Sequence, residues 1–439
     1  MTSVPGGEGW PAHVAQVLDT LAQAGFQAYV VGGSVRDQLL GRPCHDHDVA
    51  TDATPDAVMA LFPRHVPTGL RHGTVTVFAD AAPDEPVEVT TFRIEDRYSD
   101  GRRPDCVRFT GRLELDLARR DFTINAMAMD RAMRLVDPFG GADDLARRTV
   151  RSVGDPDERF CEDALRILRG LRLAAELGFS LHPATRSAME RQAKRLRHIS
   201  LERIGQEMAR IAAADWGSIA RELATGPYLT MLPPPFAQLR AGLALLAGQP
   251  EHLAGWNQVV RRTPAWTGEE RQAASLAVWV RAAGGTPAMA SALAKGIRWP
   301  GRVARLGAAI VAALAEDLAQ APPAAWRLAL WRHGPQALGM ACRVLDWRED
   351  PLGPPLRWSR FEEMRRTMPL WNLGDLAVDG RALAALGLAG EAIGRMKHRL
   401  AEAVLTGEAP NDPSALLQLA RTLLERPPIR TEGEGRCET

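Results

Sequence analysis

At 439 residues the chain is too long for one hydrophobic core, so two to four domains are expected, and 46% hydrophobic with 24% charged content is that of a soluble globular protein. With 54 basic against 53 acidic residues the net charge is +1, so any nucleic-acid binding has to come from local basic patches. Five scattered cysteines without a CxxC pair exclude a disulfide framework or zinc site and fit a reducing cytoplasm, while the absence of a long apolar run or a secretory start excludes a membrane span or signal.

Taken in chain order, the first 150 residues read as α/β material. Phe26 to Val31 is a short apolar strand ending in Gly32-Gly33, and Val35 to Leu40 follows as a helix stopped by Gly41 and Pro43. His45 to Ala50 reads as a second strand, and Thr54-Pro55 opens a helix through Phe62. Thr74 to Ala79 and Val87 to Phe92 are rich in Val, Thr and Phe and predict strands. Arg93 to Asp105 is charged and carries Gly101 and Pro104, as a mobile loop would. Beyond about Val150 apolar residues recur every three or four positions, which predicts helices over Glu158 to Leu177, Pro183 to Arg197 and Leu201 to Ala213. Ten of the eleven tryptophans lie beyond Asp215, where the core changes style, and they are expected to be core rather than stacking platforms. Asp350 to Pro355 reads as a linker, Gly380 to Leu405 as a helical pair, and Pro427 to Thr439 as a polar, disordered end.

The chemistry concentrates at Cys44-His45-Asp46-His47-Asp48. In a strand, Asp46 and Asp48 share one face while the histidines share the other, which favours a hard cation held between two carboxylates over a mixed His/Cys site. A lone Asp-x-Asp is usually a solvated strand end, and its context is what strengthens this one. One strand upstream, Gly32-Gly33-Ser34-Val35-Arg36-Asp37 sits at a strand-to-helix turn, where glycines let backbone approach a phosphate and Arg36 adds a fixed positive charge. The spacing fits neither a Walker loop nor the Rossmann fingerprint.

Together with Arg119-Arg120-Asp121-Phe122-Thr123-Ile124-Asn125-Ala126, Glu162-Asp163-Ala164-Leu165-Arg166 and Leu201-Glu202-Arg203-Ile204, these motifs make the chain resemble the class II tRNA nucleotidyltransferase/poly(A) polymerase family. The resemblance implies an α+β fold: a polymerase β-like nucleotidyltransferase head over residues 1–149, then an all-helical neck (150–216), body (217–349) and tRNA-binding tail (350–439). It implies that Asp46 and Asp48 hold two Mg²⁺ ions, that Gly33, Arg36 and Arg120 contact the nucleotide, and that tRNA, CTP and ATP are the partners. Glu88, on the strand from Val87 to Phe92, is a possible third acid, although a surface glutamate is the commoner reading. The implied reaction is template-independent addition or repair of the 3′-terminal CCA of tRNA with release of pyrophosphate. Addition of only the two cytosines or only the adenosine, poly(A) synthesis, and a silent RNA-binding relative are the alternatives, and oligomeric state, monomer or homodimer, stays open.

Base choice has a physical reading in the fourth motif. On one helix Asp163 and Arg166 are i, i+3 neighbours, with Arg169 and Arg172 along the same ridge to brace the pair or meet phosphates. An intrahelical salt bridge is the ordinary reading of such a pair. As a base-reading pair, the carboxylate accepts from the exocyclic amine of cytosine or adenine while the guanidinium donates to the ring nitrogen. Uracil and guanine place a carbonyl where that amine would be, leaving buried groups unpaired at about 1–3 kcal/mol each. Leu70-Arg71-His72-Gly73-Thr74-Val75 replaces the basic element of the family's poly(A) polymerases, and the loop from Glu95 to Val107 has the length that CC-adding relatives lack, so the resemblance points to the CCA-adding branch. No His-Asp pair in the C-terminal half suggests the phosphohydrolase domain of some relatives. Arg191, Lys194, Arg195, Arg197 and His198, and later Arg395, Lys397, His398 and Arg399, are the candidate patches for RNA phosphates.

Overall fold

The structure, a computed structural model, describes residues 9–44, 46–96, 106–234, 236–248, 266–349 and 356–425. The linker expected at Asp350 to Pro355, the polar end and the middle of the 95–107 loop lie outside the described residues. The head is built on a seven-stranded mixed sheet. Its elements are α1 (Ala12–Gln23), β1 (Ala28–Val31), α2 (Gly33–Leu39), β2 (Asp48–Thr51), α3 (Pro55–Leu61), β3 (His65–Gly69), β4 (Thr74–Phe78), β5 (Pro86–Thr91), β6 (Arg93–Asp96), β7 (Cys106–Phe109), α4 (Leu113–Ala118), β8 (Ala128–Met129) and β9 (Leu135–Val136). The strand order is β3-β4-β5-β2-β1-β8-β9, with β2 and β5 parallel and the other neighbours antiparallel.

Alternation along these strands feeds two cores. Val30, Val49, Val75, Val77, Val87 and Val89 belong to the main cluster on the side of α1 and α3, with Val14, Val17 and Leu21. Val31, Ala50 and Phe92 instead form a smaller cluster with Leu113 and Leu117 of α4. That second contact matters for the site, because the chain leaving α4 carries Arg119 and Arg120. The segment expected as a loop from Arg93 begins and ends in strands: β6 and β7 pair antiparallel, Arg93 opposite Phe109 and Asp96 opposite Cys106.

After α5 (Gly141–Ala146) and the short β10 (Thr149–Val150) the chain turns helical, apart from β11 (Ser180–Leu181), which pairs with β10. The single helix expected over Glu158 to Leu177 is two helices, α6 (Pro156–Glu162) and α7 (Leu165–Leu177). Asp163 breaks it: the residue adopts φ −146°, ψ 106°, and its carboxylate accepts the backbone N–H of Leu165 at 3.0 Å. A short acidic side chain that bonds nearby backbone competes with helix propagation. The helix expected through Arg197 likewise stops early, as α8 (Pro183–Gln192) followed by a 3-10 turn over Ala193–His198, and α9 (Leu201–Ala213) completes this part. Gly170 lets α7 lie against the head, since a Cβ there would stand 2.9 Å from the Phe122 ring.

The remaining helices bury several of the late tryptophans: Trp216, Trp279 and Trp326 are among the largest fully buried side chains, and Trp216 stacks edge-on against Trp279 at 5.6 Å. Trp371, by contrast, is exposed. The expected helical pair near the end is present as Gly380–Ala384 and Glu391–Thr406, with a local core through Leu383, Leu400, Leu405 and Leu416. Among the described residues no helix is long and apolar enough to cross a membrane.

Candidate active site

β1 ends where Gly32 turns at φ +74°, a conformation that strains any side chain, and a Cβ there would also stand 2.9 Å from the Arg120 guanidinium. The ladder stops with it: Val31 pairs with Asp48, the last pair of this register among the described residues. The strand expected from His45 therefore starts at Asp48, and Asp46 precedes it. Alternation survives, with Asp46 and Asp48 exposed and His47 buried between them. The His47 ring packs edge-on to Trp10 at 6.2 Å and to His13 at 5.9 Å, turned away from the carboxylates. Ser34, buried at the start of α2, donates its hydroxyl to the Asp46 carbonyl at 2.8 Å and ties the Gly-Gly turn to the acidic pair.

Asp48 lies in register with Glu88 on the parallel neighbour β5. Crowding by protein in the cleft pushes the Asp48 carboxyl up to about 6; the Glu88 and Asp46 charges add to the rise and Arg120 opposes it. An acid raised by burial and like charges is what a bound cation would relieve. Among the described residues no three His, Cys, Asp or Glu side chains form a ready-made metal cage. Two oxygen donors open to the cleft suit a hard cation that completes its shell with water and phosphate.

Arg120 reaches the site from the chain that follows α4. It pairs with buried Asp116 at 3.3 Å, and its Nε is buried with no hydrogen-bond partner. Burial would push the Asp116 carboxyl up, but the Arg119 and Arg120 charges hold it below its ordinary value. Arg36 is fixed at three points, by Asp37 at 2.8 and 3.0 Å and by the Asn125 side-chain oxygen at 2.8 Å. Asn125 in turn donates to Asp121 at 3.2 Å, and Asp121 pairs with Arg169 at 2.7 Å. Burial acts to raise the Asp121 carboxyl, yet Arg169 and Asn125 hold it well below the usual carboxylate range.

The structure does not bring Asp163 and Arg166 together as a helical ion pair. Asp163 sits at the break and is gripped by Arg203 of α9, with Nη2 at 2.6 Å and Nη1 at 3.3 Å. Arg166 pairs with Glu162 and donates to the carbonyls of Arg159 at 3.1 Å and Arg119 at 3.4 Å. Arg172 is buried between Glu207 at 2.6 Å and Glu176 at 2.9 Å, as a brace would be. The sequence reading gave no role to Ser34, Asn125, Asp121 and Arg203. All four stand inside the quoted motifs, which was the available signal.

A mixed sheet presenting paired carboxylates beside two fixed arginines, with a helical neck packed against it, defines a polymerase β-like nucleotidyltransferase. Residues 28–151 match the poly A polymerase head domain family, and residues 178–221 match the probable RNA and SrmB-binding site of polymerase A. The chain is 36% identical over 409 residues to a CCA-adding enzyme of Geobacillus stearothermophilus, covering 90% of this chain and 93% of that one. It is 43% identical over 272 residues to the CCA-adding enzyme of Bacillus cereus, an alignment spanning 66% of that relative's length. The crystal structure of the Bacillus stearothermophilus CCA-adding enzyme in complex with CTP superposes with a TM-score of 0.77 at 33% identity, covering 94% of this chain and 97% of that one. The chain belongs to the family of CCA-adding enzymes, tRNA nucleotidyltransferases whose members generally use a divalent metal.

Proposed function

We propose that this chain adds or repairs the 3′-terminal CCA of tRNA from CTP and ATP without a template, with Mg²⁺ as its metal. The observation that carries the reading is the pair Asp46 and Asp48, open to the cleft beside Arg120 and crowded by Glu88. In the reaction the RNA 3′-oxygen bonds to the α-phosphorus, the α–β phosphoanhydride breaks, and pyrophosphate leaves. Mg²⁺ held by Asp46 and Asp48 would supply Lewis-acid activation of the hydroxyl and charge neutralisation of the phosphates. Arg120 and Arg36 hold fixed positive charge for the triphosphate, and Gly32 and Gly33 keep side-chain bulk from the approach. Asp163 and Arg166 read the base edge, braced by Arg169 and Arg172.

Residues 1–149 act as the catalytic head, 150–216 as the neck, 217–349 as the body and 350–439 as the tail. Along the 3-10 turn Ala193, Leu196 and Ile199 are buried while Lys194, Arg195, Arg197 and His198 are exposed, a cationic ridge for tRNA phosphates. Arg395, His398 and Arg399 are exposed on the tail helix and extend that grip. The free Cys44, Cys161 and Cys342 suit work in the reducing cytoplasm.

Extension of a tRNA lacking CCA tests the reading. CTP alone should add two nucleotides, CTP with ATP three, and an untailed mRNA should not be extended. A two-nucleotide limit with both nucleotides present would instead make the chain a CC-adding enzyme, and activity confined to tRNA already ending in CC an A-adding one. tRNA affinity should fall steeply as salt rises; binding indifferent to salt would remove the cationic ridge from the account.

A further inference from the structure

We propose that Arg203 is a positioning residue for base selection, presetting Asp163 so that one acceptor site remains for the amine of cytosine or adenine. The inference rests on the function proposed above and adds a residue to its specificity machinery. Because Asp163 lies at the break between α6 and α7, helix geometry does not hold its side chain. What holds it is the Arg203 guanidinium, which donates to both carboxylate oxygens, and the Leu165 N–H, which donates to Oδ1.

A carboxylate offers about four acceptor positions. Oδ1 receives two donors and Oδ2 one, so three are committed and a single one is left, on the oxygen held by Arg203 at 2.6 Å. A planar guanidinium spanning both oxygens also fixes the plane of the carboxylate, which a point charge would not. Arg166 is held separately, by Glu162 and by the carbonyls of Arg159 and Arg119. The two base-reading groups are thus set by different elements, the carboxylate from α9 and the guanidinium from α6 and the chain following α4. With both fixed, neither can swing to suit a uracil or guanine carbonyl, and the wrong base meets an acceptor where it needs a donor.

The test compares Arg203→Gln and Arg203→Lys with the full-length wild type on one tRNA, reading kcat/KM for CTP against UTP and for ATP against GTP. Arg203→Gln should lose selectivity by about tenfold or more, the loss expected of a freed buried acceptor. Arg203→Lys should fall between, since an ammonium keeps the charge without spanning both oxygens. In an Asp163→Asn background the Arg203→Gln change should add nothing further, because Arg203 acts through Asp163. Selectivity within about twofold of wild type in Arg203→Gln, or an equal extra loss in the Asp163→Asn background, overturns the proposal. A helix clamp alone would lower Tm and leave the nucleotide ratios where they were. If Arg203→Gln does not fold, Arg203→Lys carries the same readout. Wild type that fails to extend tRNA defeats the proposed function; wild type that extends it while both variants keep full selectivity defeats only the role of Arg203.

Discussion

Asp48 in the cleft and Asp121 beneath the neck are both crowded by protein and both near arginine, yet their carboxyls move in opposite directions. Asp48 rises because burial acts with Glu88 and Asp46 against the single opposing charge of Arg120. Asp121 falls because Arg169 and Asn125 bond it directly and outweigh its burial. Around Asp121 the charges are closed into bonded pairs, Arg169 with Asp121, Arg172 with Glu207 and Glu176, Arg203 with Asp163, although the ridge of Lys194, Arg195, Arg197 and His198 stays exposed. The cleft leaves two acids facing solvent, with no ion pair to either among the described residues. Paired carboxylates hold the molecule in shape; on the proposed function, the unneutralised ones are where a cation and a triphosphate would bind.

The contrast can be broken from either side. The largest effect should come from Arg120→Ala, which removes a cation opposing the acidic cluster while Arg119 continues to serve Asp116. Nucleotide transfer should fall by roughly 10²–10³-fold with the fold retained, as for loss of a charge-stabilising donor, measured by single-turnover incorporation. Next is Asp121→Asn, expected to cost about 3 kcal/mol in urea unfolding, at the low end for a broken pair because Arg169 stays 40% exposed. With its folded carboxyl below the unfolded value of about 4, wild-type Asp121 stabilises the protein above that pH and loses the contribution as pH falls further. The gap between variant and wild type should accordingly be full at neutral pH and close in acid.

Asp163→Ala should raise UTP and GTP incorporation about ten- to a hundred-fold relative to CTP and ATP, while leaving the Mg²⁺ dependence in place. Unchanged nucleotide ratios would remove Asp163 from base reading. The smallest effect is a gain. Asp48 is raised in the folded protein, so ionising it costs stability as pH climbs through about 6; because the side chain is open to solvent the cost is small, and Asp48→Asn in metal-free protein should raise Tm by about 1 °C at pH 7.5. Near pH 4 and below, where wild-type Asp48 is protonated, the gain should vanish. A lower Tm at both pH values would place Asp48 among the paired, structural carboxylates.

Much of this was legible in the chain itself. The strands at Thr74–Phe78 and Pro86–Thr91 follow from their β-branched runs, and the outward pair at Asp46 and Asp48 follows from alternation alone. Glu88 is legible as a possible third acid, but its place opposite Asp48 is not, because parallel register between strands 40 positions apart leaves no mark in either strand's own pattern. β3 was missed for a different reason: as an edge strand with Val66, Pro67 and Thr68 exposed it lacks the buried alternation that signals a strand. The break at Asp163 was hidden by good helix formers on both sides, and its carboxylate is held by Arg203, 40 residues onward, together with the Leu165 N–H. Local preference fixes elements; pairings between distant side chains decide what they do.

Central to the account is that Asp46 and Asp48 together hold the metal on which transfer depends. Single-turnover incorporation of CMP into a tRNA lacking CCA, measured with Mg²⁺ for wild type and for Asp46→Ala/Asp48→Ala, tests it most directly. Wild type should incorporate and the double variant, folded by thermal melt, should give no product above a no-enzyme control. Incorporation by the double variant within about tenfold of wild type would contradict it.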